Sequence, residues 1–393
     1  MNKPLIQHGK PALAMLFASP FRIFFLSAAL WALLAVGLWA AHLAGALTLS
    51  STMAPLPWHQ HEMLFGFLNA AIAGFLLTAV CNWTGTERLH GAPLLLLWLV
   101  WFAGRLLTTF AATSPEWLVL NLAFLPLVML DAARRILPAK QHRQLIVLLV
   151  ISLIWLMQAS LLLQIPINPV PSALIAAMLL MLVIGGRITP AFSVNWLKAQ
   201  GRPEQAGRVR IVPWLERLLL TGMLLLFAAL AGGLAGLVIA TLAGINALLI
   251  MARLILWRGW LVRQEPLLWI LHLSLLWIPV SLVLLLLGEI GSLPATVWIH
   301  ALALGAMASL ILGVMSRVAL GHTGRPLSLP SGMVLAFLLI QLAAVLRVLT
   351  AANLLPWQAG IIASSVFWSL AFALFLWRYS VILMSPRVDG KAG

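Results

Sequence analysis

The sequence predicts an all-α, polytopic membrane protein of twelve transmembrane helices, and three observations predict it. Of the 393 residues, 63% are hydrophobic and 8% charged, where soluble domains carry about 25% charged residues. Mean hydropathy is +1.06. The apolar residues gather into runs near the ~20 that a helix needs to cross a bilayer. A single cysteine, Cys81, precludes an intramolecular disulfide and any CxxC redox or zinc motif. The net charge of +15 does not mark a nucleic-acid surface, because the basic residues lie in short groups between apolar runs, as membrane orientation requires.

The opening "MNKPLIQHGKPALAMLFASPFR" is polar and Pro-interrupted, without the apolar core and A-x-A site of a cleavable signal. It reads as a cytoplasmic lead-in whose residues 17–25 pack at the interface. Within one integral membrane domain, 1–393, spans are expected near 22–47, 58–80, 92–112, 116–137, 144–163, 171–188, 214–231, 233–256, 266–287, 295–317, 331–352 and 357–380. The run "LLLTGMLLLFAALAGGLAGLVIATLAGINALLIMARL" is too long for one helix, and "AGGLAG" (231–236) divides it by a tight hairpin. "GGRITPAFSVNWLKAQGRPEQAGR" (185–208) is expected to end span 6 through Gly185, Gly186 and Pro190 and to open a basic loop. "GHTGRP" (321–326) reads as a helix stop. Neither holds a Walker-A or GxGxxG pattern.

Lysine and arginine set the direction. With the amino terminus inside, Lys3, Lys10, Arg22, Arg88 and the basic groups within 134–143, 187–217, 253–263, 317–325 and 378–391 all fall on the cytoplasmic side. The outer loops hold none of the 24, and the two not on the cytoplasmic side, Arg105 and Arg347, lie inside spans. Dropping one span would invert every later loop, so this bias argues for twelve spans, both termini cytoplasmic, in a bacterial inner membrane.

Ionisable residues inside spans are costly and mark functional sites by default. His42, His59, His61, Glu62, Arg105, His300 and Arg347 converge on the outer third of the bundle, with Glu289 in the outer loop after span 9 and His272 near the inner end of that span. His42 and His272 are as simply interfacial hydrogen-bonders, and Arg105 and Arg347 could instead snorkel to lipid headgroups.

Two segments echo each other. "HEMLFGFLNAAIAGFLLTAVCNWTG" (61–85) and "HALALGAMASLILGVMSRVALGHTG" (300–324) match at His61/His300, Gly66/Gly305, Gly74/Gly313, Thr84/Thr323 and Gly85/Gly324. Spans 2 and 10 run the same way, so the two histidines sit at equal depth, above small residues that permit close approach. That arrangement describes a haem site, of b-type, with His61 and His300 as axial ligands of one iron or of two. Arg105 and Arg347 would pair bidentately with the propionates. His59 is about 200° from His61 on a regular helix but about 60° from Glu62. His59 with Glu62, and with Met63 or His42, could therefore hold a second metal, copper by its preference for imidazole and thioether.

The segments 59–85, "GGRITPAFSVNWL" (185–197) and "HALALGAMASLILGVMSRVALGHTGRP" (300–326) resemble the NnrS family, haem- and copper-containing membrane proteins of the bacterial nitric-oxide response. The resemblance covers nearly the whole chain; Cys81 departs from the Pro expected before "NWTG". It implies haem and copper binding, and a part in resisting or metabolising nitric oxide and reactive nitrogen species, without supplying a reaction. A more distant similarity in layout is to haem–copper oxidase large subunits, but spans 6 and 7 hold no histidine here, which argues against their binuclear centre. The competing functions are a secondary transporter with an outward-facing His/Glu/Arg site and a non-catalytic sensor or assembly protein.

Overall fold

The computed structural model describes residues 12–49, 51, 53–110 and 116–390; Lys3, Lys10 and Lys391 lie outside them. Among the described residues the chain is helical, with no strand. Twelve helices are long and apolar enough to cross a membrane, numbered here α1 (Pro20–Leu43), α2 (Pro55–Thr84), α3 (Gly91–Phe110), α4 (Glu116–Ile136), α5 (His142–Leu162), α6 (Pro169–Ala199), α7 (Pro213–Ala231), α8 (Gly236–Trp257), α9 (Pro266–Glu289), α10 (Val297–His322), α11 (Met333–Ala351) and α12 (Trp357–Met384). The sequence-predicted spans each correspond to one of them.

Local chemistry explains the boundaries. Proline opens α1, α2, α6, α7 and α9, where its missing N–H has no intrahelical acceptor to lose. Gly85 stops α2 in the left-handed region, φ 69°, which a side chain would resist. The hairpin between α7 and α8 turns through Gly232 and Gly233, as the sequence predicts.

Three expectations are corrected. First, α6 does not end at Gly185–Pro190 but continues to Ala199 with Pro190 inside it. A proline removes one hydrogen bond, and a helix packed on neighbours bends past that loss instead of stopping. Second, the phenylalanines expected at the interface are in the core: Phe21, Phe24 and Phe25 are at most 1% exposed. Third, Glu289 is not loop but the last residue of α9.

The packing is a ring around a central row. In α2, α6 and α10 the buried share of the most apolar window is 89%, 78% and 67%, against no more than 56% in the other nine. α10 touches α2 on one side and α6 on the other, while α1, α9, α11 and α12 close around it. The peripheral helices turn Leu30, Leu96, Leu225, Leu248 and Leu338 outward, as a lipid-facing surface requires. The ring closes where α12 packs on α1. There the fully buried Arg22 donates to Leu383 O (2.6 Å) and Ser385 O (2.7 Å). α2 and α10 therefore start at the same end of the bundle, where α1, α3, α9 and α11 finish. We call it the histidine end; Arg22, Arg88, Arg187, Arg253 and Arg387 lie at the other.

Candidate functional site

Both echo segments depart from regular helix at the same place. A π-helical turn, Glu62–Phe67, follows His61, and another, Ala301–Ala308, follows His300. π turns concentrate at functional positions because the wider turn re-aims the side chains around it.

In the first of these, adjacent side chains meet. His61 Nδ1 lies 2.9 Å from Glu62 Oε1. The same carboxylate accepts from Trp31 Nε1 of α1 at 2.7 Å and from Arg105 Nη1 of α3 at 3.0 Å to each oxygen. Arg105 also donates to Asn121 Oδ1 of α4. The Asn121 amide nitrogen in turn reaches Thr108 Oγ1 (2.9 Å) and Trp117 O (2.7 Å). His61, Glu62, Arg105 and Asn121 are at most 2% exposed. A buried ion pair is stabilised when its remaining donors and lone pairs are occupied; four helices supply partners here, and among the described residues only the buried Arg105 Nε is left without one. Gly66 makes the room: a Cβ there would stand 2.7–2.8 Å from Glu62 Oε2, Arg105 Nη1 and Trp31 Nε1.

The carboxylate also fixes the imidazole. A carboxylate accepts, so the neutral His61 ring carries its proton on Nδ1 and its lone pair on Nε2. That Nε2 faces the Gln158 amide nitrogen of α5 at 3.4 Å, and Gln158 Oε1 accepts from Asn69 Nδ2 at 3.3 Å. Metal-ligating histidines are oriented in this way, one ring nitrogen held by a carboxylate and the other free to coordinate.

A second cluster forms around His300. Its ring is within electrostatic range of Arg347 and His59, and His59 within range of Arg347. The His59 ring stacks on Trp39 of α1, centroids 4.6 Å apart at 12°, and its Nδ1 is buried with no hydrogen-bond partner among the described residues. His42 lies on the same Trp39 at 5.8 Å and meets Leu47 O through Nδ1 at 3.3 Å.

The structure thus sorts the sequence-predicted residues into two groups. His61 joins Glu62 and Arg105; His300 joins His59 and Arg347. Glu62, expected beside His59, instead serves His61, and Arg105 is committed to Glu62 and not free for a propionate. Met63 is half-buried against the core. Among the described residues no three of His, Cys, Asp and Glu converge as a metal cage. His272 and His322 sit at the opposite end: His272 Nε2 bonds Ser193 Oγ at 3.0 Å and His322 Nδ1 meets Arg88 at 3.2 Å.

Asn69, Asn121 and Gln158 do not stand out in the sequence as its ionisable residues do. An amide inside an apolar span is also costly without a partner, and that signal is present in the sequence.

These residues fit a haem iron or a copper ion. Each takes a neutral imidazole nitrogen; His61 offers an oriented lone pair and His59 an orphaned buried nitrogen. A comparison with curated proteins finds no match. The family model described as NnrS protein matches residues 15–387, nearly the whole of this helical bundle, and the chain accordingly belongs to the NnrS family.

Proposed function

We propose that this NnrS-family membrane protein binds b-type haem, with copper as a second metal, at the histidine end of the bundle, and that it serves resistance to or metabolism of nitric oxide and reactive nitrogen species. The lysine and arginine bias supports a bacterial inner membrane with both termini in the cytoplasm and the histidine end in the periplasmic leaflet. The observation that carries the reading is the carboxylate–imidazole unit of Glu62 and His61. A buried imidazole with its second nitrogen already held has its lone pair spent on little else than a 3.4 Å amide contact.

A bound haem iron or copper ion would supply a coordination position for nitric oxide and a one-electron couple. The chain's own residues do the rest. Glu62 keeps the His61 proton on Nδ1, Arg105 and Trp31 hold the Glu62 carboxylate in place, and the apolar walls exclude water. His59 and His300 offer imidazole nitrogens in the second cluster, beside Arg347.

The test is a visible spectrum with metal analysis of the detergent-purified full chain. Haem absorption and bound iron are expected, falling severalfold in His61→Ala and His300→Ala. A colourless, metal-free protein overturns the reading, as do single variants that keep wild-type spectrum and stoichiometry. A His59→Ala variant is expected to lower copper and leave haem in place.

A further inference from the structure

The histidine end is built twice. In α1–α3 and again in α9–α11, the middle helix carries a histidine followed at once by a π turn. A glycine in that turn is pressed against a tryptophan of the preceding helix: Gly66 against Trp31, Gly305 against Trp277. The next glycine along, Gly74 or Gly313, meets Phe25 of α1 or Leu271 of α9. Phe25 to Trp31 and Leu271 to Trp277 are the same six-residue step. Each middle helix is followed by a glycine in the left-handed region, Gly85 directly at φ 69° and Gly324 just after the Thr323 cap at φ 71°. The following helix then brings one arginine back to the histidines, Arg105 in α3 and Arg347 in α11.

The copies differ where it matters for charge. The residue after the histidine is Glu62 in the first and Ala301 in the second. Glu62 accepts the Trp31 N–H and neutralises Arg105. In the second copy the Trp277 N–H goes to Gln341 Oε1 at 2.7 Å, and the Gln341 amide donates to Ser309 Oγ at 2.8 Å. Gln341 replaces Glu62 as an acceptor but carries no charge. Among the described residues no carboxylate forms an ion pair with Arg347. A half-buried guanidinium inside an apolar span, on the helix against which the Val297–His300 turn packs and without a counter-anion, is an incomplete site.

We infer that the second copy takes from a ligand the carboxylate that the first copy carries as Glu62: Arg347, at the histidine end of α11, binds a carboxylate-bearing ligand. The planar fork of a guanidinium matches a carboxylate with two parallel N–H···O bonds, and a neutral imidazole can add a further N–H. The carboxylate of a bound porphyrin and a free small carboxylate present the same chemistry here. The inference rests on the site of the proposed function but not on its cofactor.

The experiment titrates acetate into the haem-free, detergent-purified full chain by calorimetry at constant ionic strength, with chloride as the control anion, and repeats it after haem loading. Acetate is expected to bind wild type in preference to chloride and to bind Arg347→Gln at least tenfold more weakly. Ala301→Glu, which restores the missing internal carboxylate, should lose acetate binding in the same way; size-exclusion chromatography checks that both variants are folded. If the porphyrin is the source, haem loading abolishes acetate binding and Arg347→Gln weakens haem uptake. If a small carboxylate is the source, acetate binding survives haem loading. Equal acetate binding by wild type and Arg347→Gln overturns the inference, and so does no acetate binding together with equal haem uptake by the two, the result expected of an arginine bound to lipid headgroups. A protein that binds acetate through Arg347 but never takes up haem would uphold this inference while overturning the haem reading.

Discussion

Glu62 answers three donors at once, His61, Trp31 and Arg105, so its charge is the keystone of the first cluster. Glu62→Gln leaves the Arg105 charge buried without compensation, and breaking one side of a buried pair costs about 3–5 kcal/mol. Thermal unfolding in detergent should show a clear fall in Tm, most of it recovered in the double variant Glu62→Gln/Arg105→Gln. An unchanged Tm in the single variant would mean that water reaches the pair. At this scale the sequence singles out ionisable residues in apolar spans but not who meets whom. His61, Glu62 and Arg105 stand out as ionisable groups in apolar spans. Counting ~100° per residue placed Glu62 with His59, but the helix passes into a π turn at Glu62 and the carboxylate reaches its neighbour instead. Asn121 and Gln158 were legible by the same cost argument, had amides been weighed with charges.

Gly66 shows how a helix earns its sequence through what lies against it. A methyl group there would collide with the Glu62–Arg105–Trp31 knot, and overpacking of this kind costs typically about 1–3 kcal/mol. Gly66→Ala is therefore expected to lower Tm and to reduce haem retention together; full retention of both would show that the π turn can absorb the extra atom. The same logic explains the misread end of α6. "GGRITP" resembles a stop on paper, but Gly186 lies against the Arg253 guanidinium of α8, which donates to Leu182 O at 3.1 Å. Its glycine is a close-approach residue, and a single sequence cannot distinguish that from a terminator. Helix existence was legible from hydropathy because lipid demands it, whereas helix ends depend on partners that hydropathy does not report.

For the molecule as a whole, twelve helices and one-sided arginines make a topology claim. A reporter active only in the cytoplasm, fused after Gly393, should be active, and a periplasm-only reporter silent; the reverse result would invert every assignment of leaflet. Number and order of spans were legible throughout. The central row of α2, α10 and α6 was not, since it depends on contacts between helices far apart in sequence, although the echo between α2 and α10 hinted at their equivalence.

The ring also has an order in time. Chains enter the membrane from the amino end, so α1 is inserted first and α12 last. Yet Arg22 in α1 finds its acceptors at Leu383 and Ser385, and Ala32 O in α1 accepts from Trp368 of α12 at 2.9 Å. Through most of its synthesis the nascent bundle therefore carries an unquenched cation at its first helix. Phe24 and Phe25 on that helix wait for neighbours that arrive with α2. α1 is completed only by α12, so the insertion of α12, and of no earlier span, is the moment at which these two helices close on each other.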